Sequence, residues 1–141
     1  MKLELITLTG IKLDQEVYEV LLPTADGEIA VFPGHERLVT LAIPGVIQVR
    51  RKKGDFDDQM DVFATNGGVV EIGPERIRVL VDEADTSAEI QEAEAKDALE
   101  RAQEMRASAK TQIDINEAQA LVSRHAARLK VAGLRHRHQR H

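Results

Sequence analysis

Apolar positions change their period once along this chain. Up to about residue 85 they come in short runs rich in Val, Ile, Leu and aromatics: Leu3–Leu8, Val17–Leu22, Glu28–Phe32, Leu38–Ile43, Val46–Arg51, Met60–Ala64, Val69–Ile72 and Ile77–Val81. Eight of the nine glycines and all four prolines fall before residue 75, where they separate the runs. Short strands at this spacing predict an all-β sandwich or barrel. The polar segment 51–58, RKKGDFDD, reads as a hairpin loop with a solvated tip. From Thr86 glycine and proline vanish until Gly133, and Ala and Glu take over. The spacing Thr86-Ser87-Ala88-Glu89 is that of a capping box and predicts a helix start. Ala95, Ala98, Ala102, Met105 and Ala109 then line one face of a helix that ends between Ser108 and Ile113. A second cap at Asp114-Ile115-Asn116-Glu117 predicts a second helix, with Ile115, Ala118, Val122, Leu129 and Ala132 apolar and Gly133 as its stop. The domains expected are therefore 1–85, a β-sandwich, and 86–141, a two-helix antiparallel hairpin with a frayed basic tail, HRHQRH. The facing stripes are mostly alanine. At about 25 cal/mol per Å² an alanine seam stabilises far less than a leucine seam, which predicts a hairpin that unpacks or moves as a unit.

The stretch 25–45, ADGEIAVFPGHERLVTLAIPG, packs two strand-like runs between three turn signals and holds the lone histidine before residue 125, His35. A metal or acid–base pair at His35-Glu36 would need more histidines, so the expected role is structural or contact surface. Gly67-Gly68 has no following Gly-Lys-Ser/Thr and reads as a hairpin turn, not a phosphate loop. His136, His138 and His141 sit at the end of the chain with no carboxylate nearby, so they read as a basic tail and not a metal site.

Charge sharpens this division. Of 141 residues with a formal net charge of −5, residues 1–85 hold 9 Lys/Arg against 16 Asp/Glu, residues 86–112 hold 4 against 6, and residues 113–141 hold 6 against 2. An acidic body with a basic end points to an acidic partner for that end. The basic run of Arg124, Arg128, Lys130, Arg135, Arg137 and Arg140 lacks aromatics to stack on bases, which argues for protein and against nucleic acid. Cysteine is absent, which excludes disulfide, thiol and zinc–thiolate chemistry. No apolar run is long enough for a transmembrane helix. The first residues, MKLELITLTG, lack the pattern of a secretory signal, so the expected compartment is the cytoplasm.

Three stretches resemble the epsilon subunit of F-type ATP synthases: Gly27 to His35 continuing through Leu38-Val39-Thr40 to Pro44-Gly45; Asn66 to Ile72; and Arg78 to Asp82 running into the Ala/Glu helix. The resemblance covers essentially the whole chain. It implies a ten-stranded β-sandwich followed by a mobile helical hairpin, in a non-catalytic rotor subunit without a cofactor. The sandwich would dock on the gamma subunit and on the polar loops of the membrane c-ring, passing on torque from proton flow. Glu28 matches the family's acidic residue at the c-ring end; Thr7, His35, Thr40 and Asn66 match positions near gamma. The hairpin would extend along gamma toward the alpha/beta ring and restrain ATP hydrolysis, with Arg124, Arg128, Lys130 and Arg135 meeting an acidic loop of beta. The implied location is peripheral, on the cytoplasmic face of a bacterial plasma membrane. Some bacterial members bind ATP through Ile/Leu-Asp-x-x-Arg-Ala in the first helix. Here Gln91 replaces the acid and Glu94 the arginine, so no ATP binding is expected. The residues alone leave two rivals open: a stand-alone adaptor of the same architecture and a small β-sandwich metalloenzyme.

Overall fold

The computed structural model describes the backbone of residues 1–139 and the side chains of residues 1–134. Ten strands precede two helices: β1 (Lys2–Thr7), β2 (Gly10–Glu16), β3 (Glu19–Thr24), β4 (Gly27–Val31), β5 (Leu38–Ala42), β6 (Gly45–Arg50), β7 (Asp61–Thr65), β8 (Gly68–Ile72), β9 (Arg76–Val81), β10 (Ala84–Asp85), α1 (Glu92–Ser108) and α2 (Gln112–Gln139). The strand order is β10-β7-β6-β3-β5-β8-β9-β1-β2, with β4 paired on β3. Only one residue pair, Thr24 with Ala42, ties β3 to β5, and there the sheet folds over into two layers. Every pairing is antiparallel except β1 with β9. The side chains between the layers alternate as period-2 strands require. Leu3 and Leu5 of β1, Val20 and Leu22 of β3, Ile47 and Val49 of β6, Val70 of β8, and Ile77 and Val79 of β9 are all fully buried.

Each of the eight apolar runs overlaps one strand. Two strands lie outside them. β2 carries no buried residue and only two aliphatic ones, Ile11 and Leu13, and β10 is two residues long. The loop at 51–58 joins β6 to β7. It is fastened by Arg50, which donates to Glu19 at 2.9 Å, to the Asp55 carbonyl at 2.5 Å and to Asp57 at 2.5 Å.

Gly67 and Gly68 do not form a hairpin turn, because β7 and β8 are not paired. The chain crosses here from one layer to the other. β8 enters between β5 and β9, with Gly68 opposite both Ala42 and Val81. A Cβ on Gly68 would lie 2.0 Å from the Leu80 carbonyl oxygen, and Gly67 has φ +100°. Close backbone approach, not tight turning, requires this pair.

The helices also differ from expectation at their ends. Glu89 does reach back, its carboxylate accepting from the Thr86 amide at 3.0 Å and from the Thr86 hydroxyl at 2.9 Å. The result is a turn over residues 87–89, followed by Ile90 buried at 5 % exposure, and α1 begins only at Glu92. Burial of Ile90 against Ala64 and Val131 outweighs continuing a helix from the box. α2 begins before Asp114. The Thr111 hydroxyl accepts from the Asp114 amide at 3.1 Å, so Thr111 caps it. Gly133 does not stop α2, which runs on to Gln139; of the tail, Arg140 and His141 lie outside the described residues. The two helices form the hairpin, and α2 lies on the outer face of β6 and β7, where Ala127, Val131 and Ala132 pack on Ala64, Val46 and Val62.

Candidate functional site

Strand register builds a surface on the layer that does not carry the hairpin. Leu41 of β5 pairs with Val69 of β8, Val69 with Leu80 of β9, Leu80 with Ile6 of β1, and Ile6 with Ile11 of β2. Partners in register point to the same side of a sheet, so these five form one apolar row across five strands. At about 4.8 Å per strand the row is roughly 20 Å wide. It faces outward: Leu41 is 63 % exposed, Ile11 68 % and Leu80 39 %. Val39 extends it on β5, and Leu8 extends it at the β1–β2 turn, both more exposed still. The next row is polar. Glu4 lies between Arg78 and Asp14 in register and accepts from Arg78 at 3.1 Å. An exposed contiguous apolar strip with a charged rim is the anatomy of a protein-docking surface.

The residues picked out by resemblance border this strip without forming it. Thr40 sits between Val39 and Leu41 but on the inward side, with Ala42, and is half-buried. Thr7 lies at the β1–β2 turn, its hydroxyl donating to the Gly10 carbonyl at 3.2 Å. Asn66 follows β7 at that same end of the sandwich, with its Oδ1 buried and without a partner among the described residues. His35 is at the other end, in the β4–β5 loop, where its Nδ1 is 2.6 Å from the Glu36 carbonyl and Gly34 donates to Pro74. The four are therefore spread over both ends of the sandwich and not gathered at a point. Glu28 is exposed on the β3–β4 hairpin, beside the tip where the Thr24 hydroxyl donates to the Gly27 carbonyl at 2.6 Å. This tip shares its end of the sandwich with the apolar row, because Thr24 and Gly68 both pair with Ala42.

A second cluster lies where α2 meets the sandwich. Arg124 donates from both Nε (2.5 Å) and Nη2 (2.8 Å) to the two oxygens of Glu83, and Arg128 donates to Asp85. Bidentate geometry makes the Arg124–Glu83 pair one of the stronger kinds of ion pair. The hydrogen bond from Arg124 holds the Glu83 carboxyl below its ordinary 4.5, against burial, which acts the other way. The two arginines expected to reach an acidic partner are thus held by acids of their own chain. Lys130 is exposed, and the side chain of Arg135 lies outside the described ones. Beside the cluster, a cleft of about 540 Å³ is lined by Gln91, Glu94, Arg101, Arg124, His125 and Arg128, among others.

Sequence reasoning missed the apolar row because its members are distant in the chain and each sits in a run that reads as core. No helix among the described residues is long and apolar enough to cross a membrane.

Comparison with known proteins bears on both surfaces. Residues 1–87 match the family described as ATP synthase, Delta/Epsilon chain, beta-sandwich domain. The chain is 34 % identical over 133 residues to the ATP synthase epsilon chain of Moorella thermoacetica, covering 94 % of this chain and 96 % of that one. It is 33 % identical over 133 residues to the chloroplastic ATP synthase epsilon chain of Citrus sinensis, covering 93 % and 96 %. Its fold superposes on a chain in the cryo-EM structure of the Euglena gracilis mitochondrial ATP synthase, OSCP/F1/c-ring, with a TM-score of 0.74 at 23 % identity, over 89 % of this chain and 76 % of that one.

Proposed function

This chain belongs to the ATP synthase epsilon-chain family, and on that premise we propose that it is a non-catalytic central-stalk subunit of a proton-translocating F-type ATP synthase. It couples rotation of the c-ring, through gamma, to ATP synthesis. The observation that carries the coupling role is the apolar row Leu41-Val69-Leu80-Ile6-Ile11, which is wide, exposed and turned away from the hairpin. Gamma docks along this row, with Thr7, Thr40 and Asn66 near it and His35 at the other end of the same contact face. The β3–β4 hairpin beside it offers Glu28 to the polar loops of the c-ring. The subunit then works as two parts: residues 1–85 dock on the rotor and residues 86–141 regulate. It sits peripherally, on the cytoplasmic face of a bacterial plasma membrane.

The regulatory part restrains ATP hydrolysis once the hairpin has left the sandwich. Only then are Arg124 and Arg128 free of Glu83 and Asp85 and able to meet, with Lys130 and Arg135, an acidic loop of beta. Assembling the complex with and without residues 87–141 tests this. The truncated form is expected to hydrolyse ATP severalfold faster while still co-purifying with gamma. Equal rates would remove the restraint and leave the coupling role standing; loss of gamma would overturn the assignment of docking to the sandwich.

ATP itself is not a ligand of the isolated chain. Glu94 puts a carboxylate in the cleft where the family's nucleotide motif has an arginine, and Arg124 and Arg128 already have carboxylate partners. Addition of ATP up to about 1 mM, the weak end of specific binding, is expected to leave the NMR shifts of α1 unchanged; saturable shifts there would refute this.

A further inference from the structure

We propose that protonation of His125 loosens the helical hairpin from the sandwich, so that acidification shifts the chain toward the undocked form. His125 is on α2 between the two arginines that latch the hairpin, and its Nδ1 is buried without a partner among the described residues. The cleft it lines collects positive charge: Arg124 and Arg128 from its own helix and Arg101 from α1. Carboxylates face it as well. Glu83 comes from the segment after β9, Glu89 from the turn before α1, and Glu94 and Asp97 from α1 itself. Glu83 is already taken by Arg124, Asp85 by Arg128, and Glu89 by Lys12 at 2.5 Å. A proton on His125 therefore adds a further cation beside Arg101, Arg124 and Arg128, and Nδ1 has no hydrogen-bond acceptor among the described residues to receive it. Undocking hydrates the ring and takes it away from the sandwich, and opening of the hairpin separates it from Arg101 on α1.

The sign follows from which form each state prefers. Burial first, then Arg124 and Arg128, hold His125 below its ordinary 6.5, and Glu83 opposes them more weakly. Arg124 and Arg128 travel with His125 on α2, so the docked and undocked forms differ through burial of the ring, which outweighs the opposing Glu83; the docked form binds fewer protons, and docking weakens as pH falls through 6.5. Glu83 does not act in this range. Its carboxyl is held below 4.5, so the stability it contributes is present above that value and lost only as pH falls further. The latch is therefore sensitive near neutrality through one imidazole, while its ion pairs persist.

This inference rests on the proposed function only for its consequence, which is that an acidified cytoplasm makes the hairpin available to restrain hydrolysis. Its test uses the isolated full chain and neither gamma nor ATP, so its failure is distinct from failure of that reading. Amide exchange is measured at about pH 7.5 and about pH 5.5, corrected for intrinsic rates, with the sandwich strands as internal reference. Protection of residues 112–132 relative to the sandwich is expected to fall about threefold or more at the lower pH. In His125→Gln, which keeps a neutral polar side chain, the ratio is expected to stay constant. Retention of the pH response in that variant would assign it to another histidine and overturn the proposal, as would a constant ratio in the unmodified chain. Direct NMR titration of the His125 ring protons covers the case in which the variant folds poorly. A midpoint below 6.5 supports the proposal, and one at or above 6.5 refutes it.

Discussion

Placing aspartate at both ends of the apolar row, Leu41→Asp with Ile11→Asp, is expected to weaken association with gamma by at least about 100-fold. Both side chains are more than half exposed in the free chain, so the carboxylates are solvated there and cost the fold little. Substitutions at exposed sheet positions shift stability by about 1 kcal/mol or less. In the complex the same carboxylates are pressed against an apolar partner without a cation. Each costs on the order of 2 kcal/mol or more, and each 1.4 kcal/mol is about tenfold in affinity. Titrating purified variant into gamma, with thermal melts as control, separates the two effects. A variant that melts normally and binds gamma as tightly as the parent would move the docking face off this layer.

The largest stability effect is expected at Gly68. A Cβ there lies 2.0 Å from the Leu80 carbonyl oxygen and 2.9 Å from both Cα and Cγ1 of Val81. Two of these three are backbone atoms of the paired strand, so relief requires β8 and β9 to separate where they are hydrogen-bonded. Gly68→Ala is expected to cost about 3 kcal/mol or more, at the upper end of overpacking losses. Gly133→Ala is the control. Its Cβ meets nothing within 4 Å, and it lies within α2, so removing glycine's backbone freedom is expected to stabilise by about 0.5–1 kcal/mol. Urea titration of both variants checks the pair. A Gly68→Ala protein as stable as the parent would show that the β8–β9 pairing is slack.

Much of this architecture is written in local signals, and the exceptions have physical causes. Turn residues punctuate the first half so regularly that eight strands can be read from them. β2 escapes because it is an edge strand whose alternation lasts only from Ile11 to Asp14, with two aliphatic residues and none buried. The start of α1 is misread because Thr-x-x-Glu geometry serves a turn as well as a helix, and only the burial of Ile90 decides between them. The docking row is harder still. Its five members come from five strands, and the registers that align them depend on pairings such as Ile6 with Leu80 that no local window contains. Resemblance picked out Thr40, which lies on the inward side of β5 between the exposed Val39 and Leu41. Likewise, the basic face of α2 is plain in sequence, but its neutralisation by Glu83 and Asp85 depends on where the hairpin folds back.

The parallel pairing of β1 with β9 sets the order in which this chain can be made. β1 has no partner on its β9 side until residues 76–81 have been synthesised, and the Glu4–Arg78 bond spans 74 positions. At about 5–20 residues per second that wait is about 4–15 s. Until then Leu3 and Leu5 lack one wall of their core, and Ile6 has no Leu80 beside it. The apolar row is therefore among the last features to form, and an unfinished or truncated sandwich cannot present it. On the proposed docking, assembly is thereby reserved for chains that have closed their sheet, with α2 synthesised only after the strands on which it packs.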